Sequence, residues 1–270
     1  MSFYISLNGL KNAQTDLGVI AHNIANTETN GFKKSRTDFA DVVGASALTN
    51  PRLIQGIGAT LESITQNFAL GPIEQTGSAL DLAVNGDGFF TTRAALTGNT
   101  QFTRNGAFTL DEGGFIQDGA QNRLQLLPVD ASGVATSTTP VDAQVPATNA
   151  AGSEFAGVTV NSDGSVVASY ADGTNTRIGK VVLATFISPQ GLKQLGSSNW
   201  AATGLSGTPR YGLPAEGLNG SLLSGAIERS NVDIAEDLVG LITAQRNFQA
   251  NAKAIDTATQ ISQTVINLRN

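Results

Sequence analysis

Two stretches near opposite ends of the chain carry the same apolar spacing. The first runs from Phe3 through Leu7, Leu10, Gln14, Leu17 and Ala21 to Ile24. The second runs from Ile234 through Leu238, Leu241, Gln245, Phe248 and Ala252 to Ile255, and both advance in alternating steps of four and three. That repeat is the seam of a coiled coil. An isolated helix of such length is marginal in water, so each stripe needs a cover, and the other stripe is one of matching length. The intervening chain must lead away from the first helix and return to it, which predicts an antiparallel pair. Set flush, Phe3 meets Ile255 and Gln14 meets Gln245, so the single polar member of each seam faces the other and fixes the register. After Ile255 the phase slips. Ala258, Ile261, Val265 and Leu268 carry the stripe past the end of the first helix.

The helix ends are marked as well. Asn30-Gly31 offers left-handed backbone geometry where the first helix stops, with Gly31 expected at positive φ and Phe32 packing back on the connecting segment. Lys33, Lys34 and Arg36 follow, cations suited to a helix C-terminus and expected on a solvated surface. Ser230 or Asn231 can cap the second helix, with Asp233, Glu236 and Asp237 in its first turn. Between the ends, short β-branched and aromatic runs such as "GFFTTR" and "GFIQD" are split by "NGDG", "RNG" and "DEGG", which is hairpin chemistry. Asp163-Gly164 and Asp172-Gly173 mark two more hairpins, and Asn122 reads as a surface turn residue. The expected organisation is a helix over 1–30, an irregular linker with short extended segments over 31–75, a β-rich domain over 76–222 and a helix over 223–270. Residues 130–156, rich in Ala, Ser, Thr and Pro, read as a long connection. The fold class is mainly β with terminal α-helices.

Composition narrows the function. Only 14% of the 270 residues are charged and the net charge is −6, which gives no footprint for nucleic acid. The chain has no Cys, hence no thiolate metal site and no Cys nucleophile. Its one His, His22, lies in the first helix without triad partners in pattern. "NGDGFF" is not a dinucleotide fingerprint, no phosphate-binding Gly-Lys-Ser/Thr element occurs, and "NSDGS" lacks the acidic spacing of a calcium loop. No catalytic residue, cofactor, metal or small-molecule substrate is therefore expected. The start "MSFYISLNGLKN" lacks the pattern of a cleaved secretory signal. A weakly charged, Ala- and Asn-rich surface suits extensive protein–protein contact.

The quoted motifs resemble the flagellar rod and hook family. The resemblance rests on "HNIANTETNGFKKSRTDF" (22–39), "LDLAVNGDGFF" (80–90), "FTRNGAFTLD" (102–111) and "SNVDIAEDLVGLITAQRNFQANAKAI" (230–255), and it covers nearly the whole chain. Asn23, Asn26, Gly31, Phe32 and Lys33 are its signature positions here. The resemblance implies a structural subunit that stacks into a hollow helical homopolymer, with the terminal helices as an inner domain and the β domain outside. It further implies export from the cytoplasm by the flagellar type III apparatus without a cleaved signal, and a place in the extracellular hook or basal body. Other axial proteins (distal rod, hook cap and hook–filament junction) are the implied neighbours. "GKVVLATFISPQGLKQLGSSNWAATGLSG", "SGAIERSNVD" and "TVINLRN" look like the hook branch. Sequence alone thus favours a short, torque-transmitting hook subunit, with a distal rod subunit next. The missing second β domain at 130–156 is rod-like. A secreted β-sandwich binding module would explain the middle and not the heptads.

Overall fold

The two stripes become two helices. In the computed structural model, which describes residues 2–44, 55–130 and 135–268, α1 spans Ser2–Ala25 and α2 spans Ile234–Leu268. They pack antiparallel. A Cβ on Gly9 would come within 2.5 Å of the Asn251 side chain, and one on Gly240 would touch Ile20 at 3.5 Å. Both contacts set each α1 residue one position further along α2 than the register pairing Gln14 with Gln245, and both glutamines are exposed. The physical reason is the size of the residues in contact. Small side chains, Gly9 and Ala13 on one helix and Gly240 and Ala244 on the other, let the backbones approach, and Ala13 and Ala244 are buried. The covered line on α2 is Asp237, Leu241, Ala244, Phe248, Asn251, Ile255 and Ala258, a continuous four–three repeat without a slip after Ile255.

The segment 31–75 is not an irregular linker. It holds an antiparallel hairpin, β1 (Ser35–Gly44) and β2 (Gln55–Gln66), whose register shifts between Asp38 and Phe39 and between Val42 and Val43. Those two irregularities break the alternation by which a strand is recognised. Part of the expected linker, residues 45–54, lies outside the described residues. α1 is tied to the hairpin along its length. Asn12 donates to the Ala59 carbonyl at 2.9 Å, and Thr37 donates to Asp16 at 2.5 Å. Asn23 exchanges two 2.9 Å hydrogen bonds with the Ser35 backbone. One unit of the chain comprises Met1–Thr27, Lys34–Asn67 and Val232–Asn270.

The other unit is built from Glu28–Lys33 and Phe68–Asn231. Its main sheet is antiparallel, in the order Phe155–Val160, Ser165–Tyr170, Asn175–Val181, Asn122–Leu127, Phe89–Ala94, Thr100–Thr103, Asn199–Ala201 and Lys193–Gly196. Neighbouring residues on one strand face opposite sides. Phe90 accordingly packs on Phe108 at 5.4 Å within the cluster of Leu82, Leu124 and Leu183, and Phe89 packs on Trp200 at 5.7 Å in a second cluster. The 130–156 connection also feeds this core, since Ala143 and Val145 are buried and Val141–Asp142 pairs with the Asn122–Leu127 strand; residues 131–134 lie outside the described set. Asn122 is not a surface turn residue: it is buried and hydrogen-bonded to Asp118, while Gln121 takes the positive φ of 62°.

Residues 223–231 are not helical. Ser221–Ser224 pairs with Leu82–Asn85, and Ala226–Glu228 pairs with Ile73–Gln75. The helix waits for Asp233, whose carboxylate accepts the Ala235 and Glu236 amides at 2.8 and 3.2 Å; this residue, rather than Ser230 or Asn231, is the cap.

Candidate functional site

The signature segment enters the β-rich unit and is locked there. Asn26 closes α1 by donating to the His22 carbonyl at 2.8 Å. Gly31 follows with φ +66°, and its amide donates to the Glu228 carbonyl at 2.8 Å. A side chain at Gly31 would lie 2.5 Å from the Arg104 carbonyl carbon, so both the backbone conformation and the space demand glycine. Phe32 and Lys33 are buried.

Lys33, expected on a solvated surface, is instead fully buried. Its ammonium donates to Glu228 Oε1 at 2.5 Å and to the Ala69 carbonyl at 2.7 Å. The same Glu228 oxygen accepts the Gly71 amide at 2.9 Å, and Oε2 faces Arg104 Nη1 at 3.4 Å. Arg104 also donates to the Val84 and Gly86 carbonyls and lies 5.1 Å over the Phe89 ring. Two cations therefore share one carboxylate. Burial pushes the Lys33 ammonium below its ordinary pKa, and Glu228 opposes the shift. Arg104 is shifted the same way for the same first reason, with Glu228 and Asp87 opposing. This constellation offers no nucleophile with a base; it joins residue 33 to residue 228 and fixes both. The next residue, Lys34, belongs to the helical unit and pairs with Glu236 of α2 at 2.9 Å. Glu228 and Arg104 were not singled out from sequence, although each charge stands at the end of a run of strand-forming residues, Ala226-Ile227 and Thr100–Thr103.

The remaining candidates lie on the helices. Leu7, Leu10, Leu17 and Ile24 on α1 and Leu241, Phe248 and Ile255 on α2 are half-buried, while Asn23 is buried. Phe3, Ile234 and Leu238, assigned to the seam, are exposed, as are Ile261 and Val265. The displaced apolar side chains form an outward stripe on α2, where Ile234 is 48%, Leu238 45% and Ile242 49% exposed. Residues 259–267 are exposed throughout, roughly 13 Å of helix beyond the covered line. Leu268 is the last helical residue. Asp237, under α2's first turn, has one carboxylate oxygen without a partner, and burial pushes its pKa up. No helix of the described residues is long and apolar enough to cross a membrane.

Three family descriptions match this chain. Residues 3–33 match "Flagella basal body rod protein", 83–168 match "Flagellar hook protein FlgE/F/G D1 domain", and 223–268 match "Flagellar basal body rod FlgEFG protein C-terminal". The chain is 36% identical to the flagellar basal-body rod protein FlgG of Bacillus subtilis over 280 residues, covering 99% of this chain and 98% of that one. It is 31% identical to FlgG of Agrobacterium fabrum, covering 97% and 96%. Against the flagellar hook protein FlgE of Salmonella typhimurium the identity is 26% over 411 residues, with both chains fully covered.

Proposed function

The chain belongs to the flagellar rod and hook family of axial proteins, and from that premise we propose that it is a distal rod subunit of the basal body. The observation that carries this reading is colinearity. The match to the Bacillus subtilis rod protein runs over 280 residues for a chain of 270, whereas the match to the hook protein runs over 411, so at least 141 hook positions have no counterpart here. Among the described residues of 130–156, where a hook-type second β domain would stand, Val141–Asp142 pairs with the main sheet and Ala143 and Val145 join its core. The hook preference drawn from "GKVVLATFISPQGLKQLGSSNWAATGLSG", "SGAIERSNVD" and "TVINLRN" gives way to the higher identity with rod proteins, 36% and 31% against 26% for the hook protein.

In this reading the protein is not an enzyme. Copies stack into an open helical tube, a head-to-tail arrangement that does not close. The outward apolar stripe of α2 and the overhang at 259–267 supply contact area that a lone copy leaves in water. Subunits leave the cytoplasm through the flagellar export apparatus and carry torque toward the hook. Genetic replacement tests the assignment. Expression should restore complete basal bodies in a strain lacking its distal rod protein and should not restore hooks in a strain lacking its hook protein. Curved tubes of the purified protein, or rescue of the second strain alone, would return the assignment to the hook, and isolated particles with neither rescue would favour a binding module.

A further inference from the structure

The β-rich unit carries two surface features that its own fold does not use. One is a groove of about 500 Å³ beside the edge strand Phe155–Val160, with Leu110, Val145, Ala147 and Phe155 among its lining and Glu112 and Glu154 on its rim. The other is an apolar knob beside the opposite edge strand, Lys193–Gly196. There Ile187 is 74% and Leu205 83% exposed. The loops bearing them are held together: Ser188 donates to the Ser206 carbonyl, and the Leu205 backbone stands 2.5 Å from where a Gly191 Cβ would be. Lys193 lies between Ile187 and Leu205 in sequence, and Arg210 is the cross-strand partner of Thr185, two residues before Ile187. Among the described residues none of the four side chains Glu112, Glu154, Lys193 and Arg210 is in an ion pair.

We propose that the Ile187–Leu205 knob of one copy seats in the Glu112–Glu154 groove of the next copy. This contact rests on the self-assembly reading above and assigns one interface within it. Three features select a second copy as the occupant. The groove sets Leu110, Val145, Ala147 and Phe155 beside Glu112 and Glu154, and the knob sets Ile187 and Leu205 beside Lys193 and Arg210, so apolar area can meet apolar area and the flanking charges are opposite. The features sit at the two ends of one sheet order, as a head-to-tail contact needs. And two large apolar side chains more than 70% exposed on one corner are a surface that burial would stabilise.

The chain's lack of cysteine makes the test direct. The full-length double variant E154C/L205C is assembled and treated with an oxidant or a short bismaleimide. A ladder of covalent multimers is expected from polymer, none from dilute monomer, and none from polymer of L205C alone. The variant I187S/L205S should raise the critical concentration for polymerisation roughly ten- to a hundredfold, the share of one or two buried aliphatic side chains. Unchanged Trp200 emission will show that the monomer is folded. Charge reversal by K193E/R210E should impair assembly, and adding E112K/E154K should restore it. Polymer without the 154–205 bond, or polymer of I187S/L205S at the ordinary concentration, overturns the contact and leaves the rod assignment standing. Bonding between L205C residues alone places knob against knob and overturns it too. No polymer from the unmodified chain under any condition would remove the assembly reading and this contact together.

Discussion

The buried Lys33–Glu228–Arg104 cluster predicts an asymmetry between two substitutions at one ion pair. Glu228→Gln removes the one carboxylate that, among the described residues, is hydrogen-bonded to either cation, and leaves two buried positive charges facing carbonyls. Breaking a buried pair in this direction costs about 3–5 kcal/mol. Lys33→Met leaves Arg104 and Glu228 as a balanced pair, and no polar atom is stranded. Glu228 Oε1 keeps the Gly71 amide at 2.9 Å, and the Ala69 carbonyl keeps the Asn231 side chain at 3.0 Å. The loss is then one charge-assisted hydrogen bond, about 1.5–3 kcal/mol, reduced by the desolvation that the ammonium no longer suffers. Lys33→Met should therefore cost about 1–2 kcal/mol and Glu228→Gln at least 1 kcal/mol more. Trp200, the only tryptophan and 1% exposed, reports unfolding of this unit in urea. Equal costs, or a larger one for Lys33→Met, would refute the charge argument. The pH dependence has a definite sign. Lys33 titrates below 10.5 when folded, so the unfolded chain holds more protons between the two values. Stability contributed by this residue then rises with pH through that window, and Lys33→Met should abolish the rise.

Gly31→Ala should destabilise the β-rich unit by more than about 1–2 kcal/mol, since it adds the left-handed backbone cost to a backbone clash; urea titration of Trp200 emission checks it. Asp237 titrates above its ordinary value because of burial, with Lys34 opposing and Glu236 and Asp233 reinforcing, so the helical unit should gain stability as pH falls from neutral through that raised pKa. Helical ellipticity on heating at several pH values should show the gain in the natural chain and a flatter profile in Asp237→Asn. A fragment spanning 68–231 should keep Trp200 buried, while one spanning 76–222 should not, because it lacks Glu228 and both strands of the Ile73–Gln75 ladder. Amide exchange on the two fragments separates these outcomes.

The helices were legible because a four–three repeat has only one structural meaning, yet their facing was read one position off. The reading put large apolar side chains inside. The fold instead puts Ala13, Ala244 and Gly240 at the contact and leaves Ile234 and Leu238 outside, a choice that close approach explains and hydropathy cannot. Gly31 was readable from turn chemistry. Lys33 was not, since a lysine between a helix end and a second lysine reads as surface, and its carboxylate partner lies 195 residues away. The β1–β2 hairpin was hidden by its two register shifts and by acidic residues on its exposed side.

The distance between Lys33 and Glu228 also sets an order of events in time. Closing a loop of that length costs on the order of 5 kcal/mol of chain entropy, and no contact across it can form until residue 228 exists. A chain emerging from its N-terminus presents Lys33 and Arg104 well before Glu228. Until then Arg104 and Lys33 lack their shared anion, and the Ile73–Gln75 strand lacks its Ala226–Glu228 partner. High sequence separation between contacts also slows folding. Truncations ending at 227 and at 232 should differ in kind: the longer should bury Trp200 in seconds or less after dilution from urea, and the shorter should remain open to protease. Equal protection of both would mean that the unit closes without its last strand.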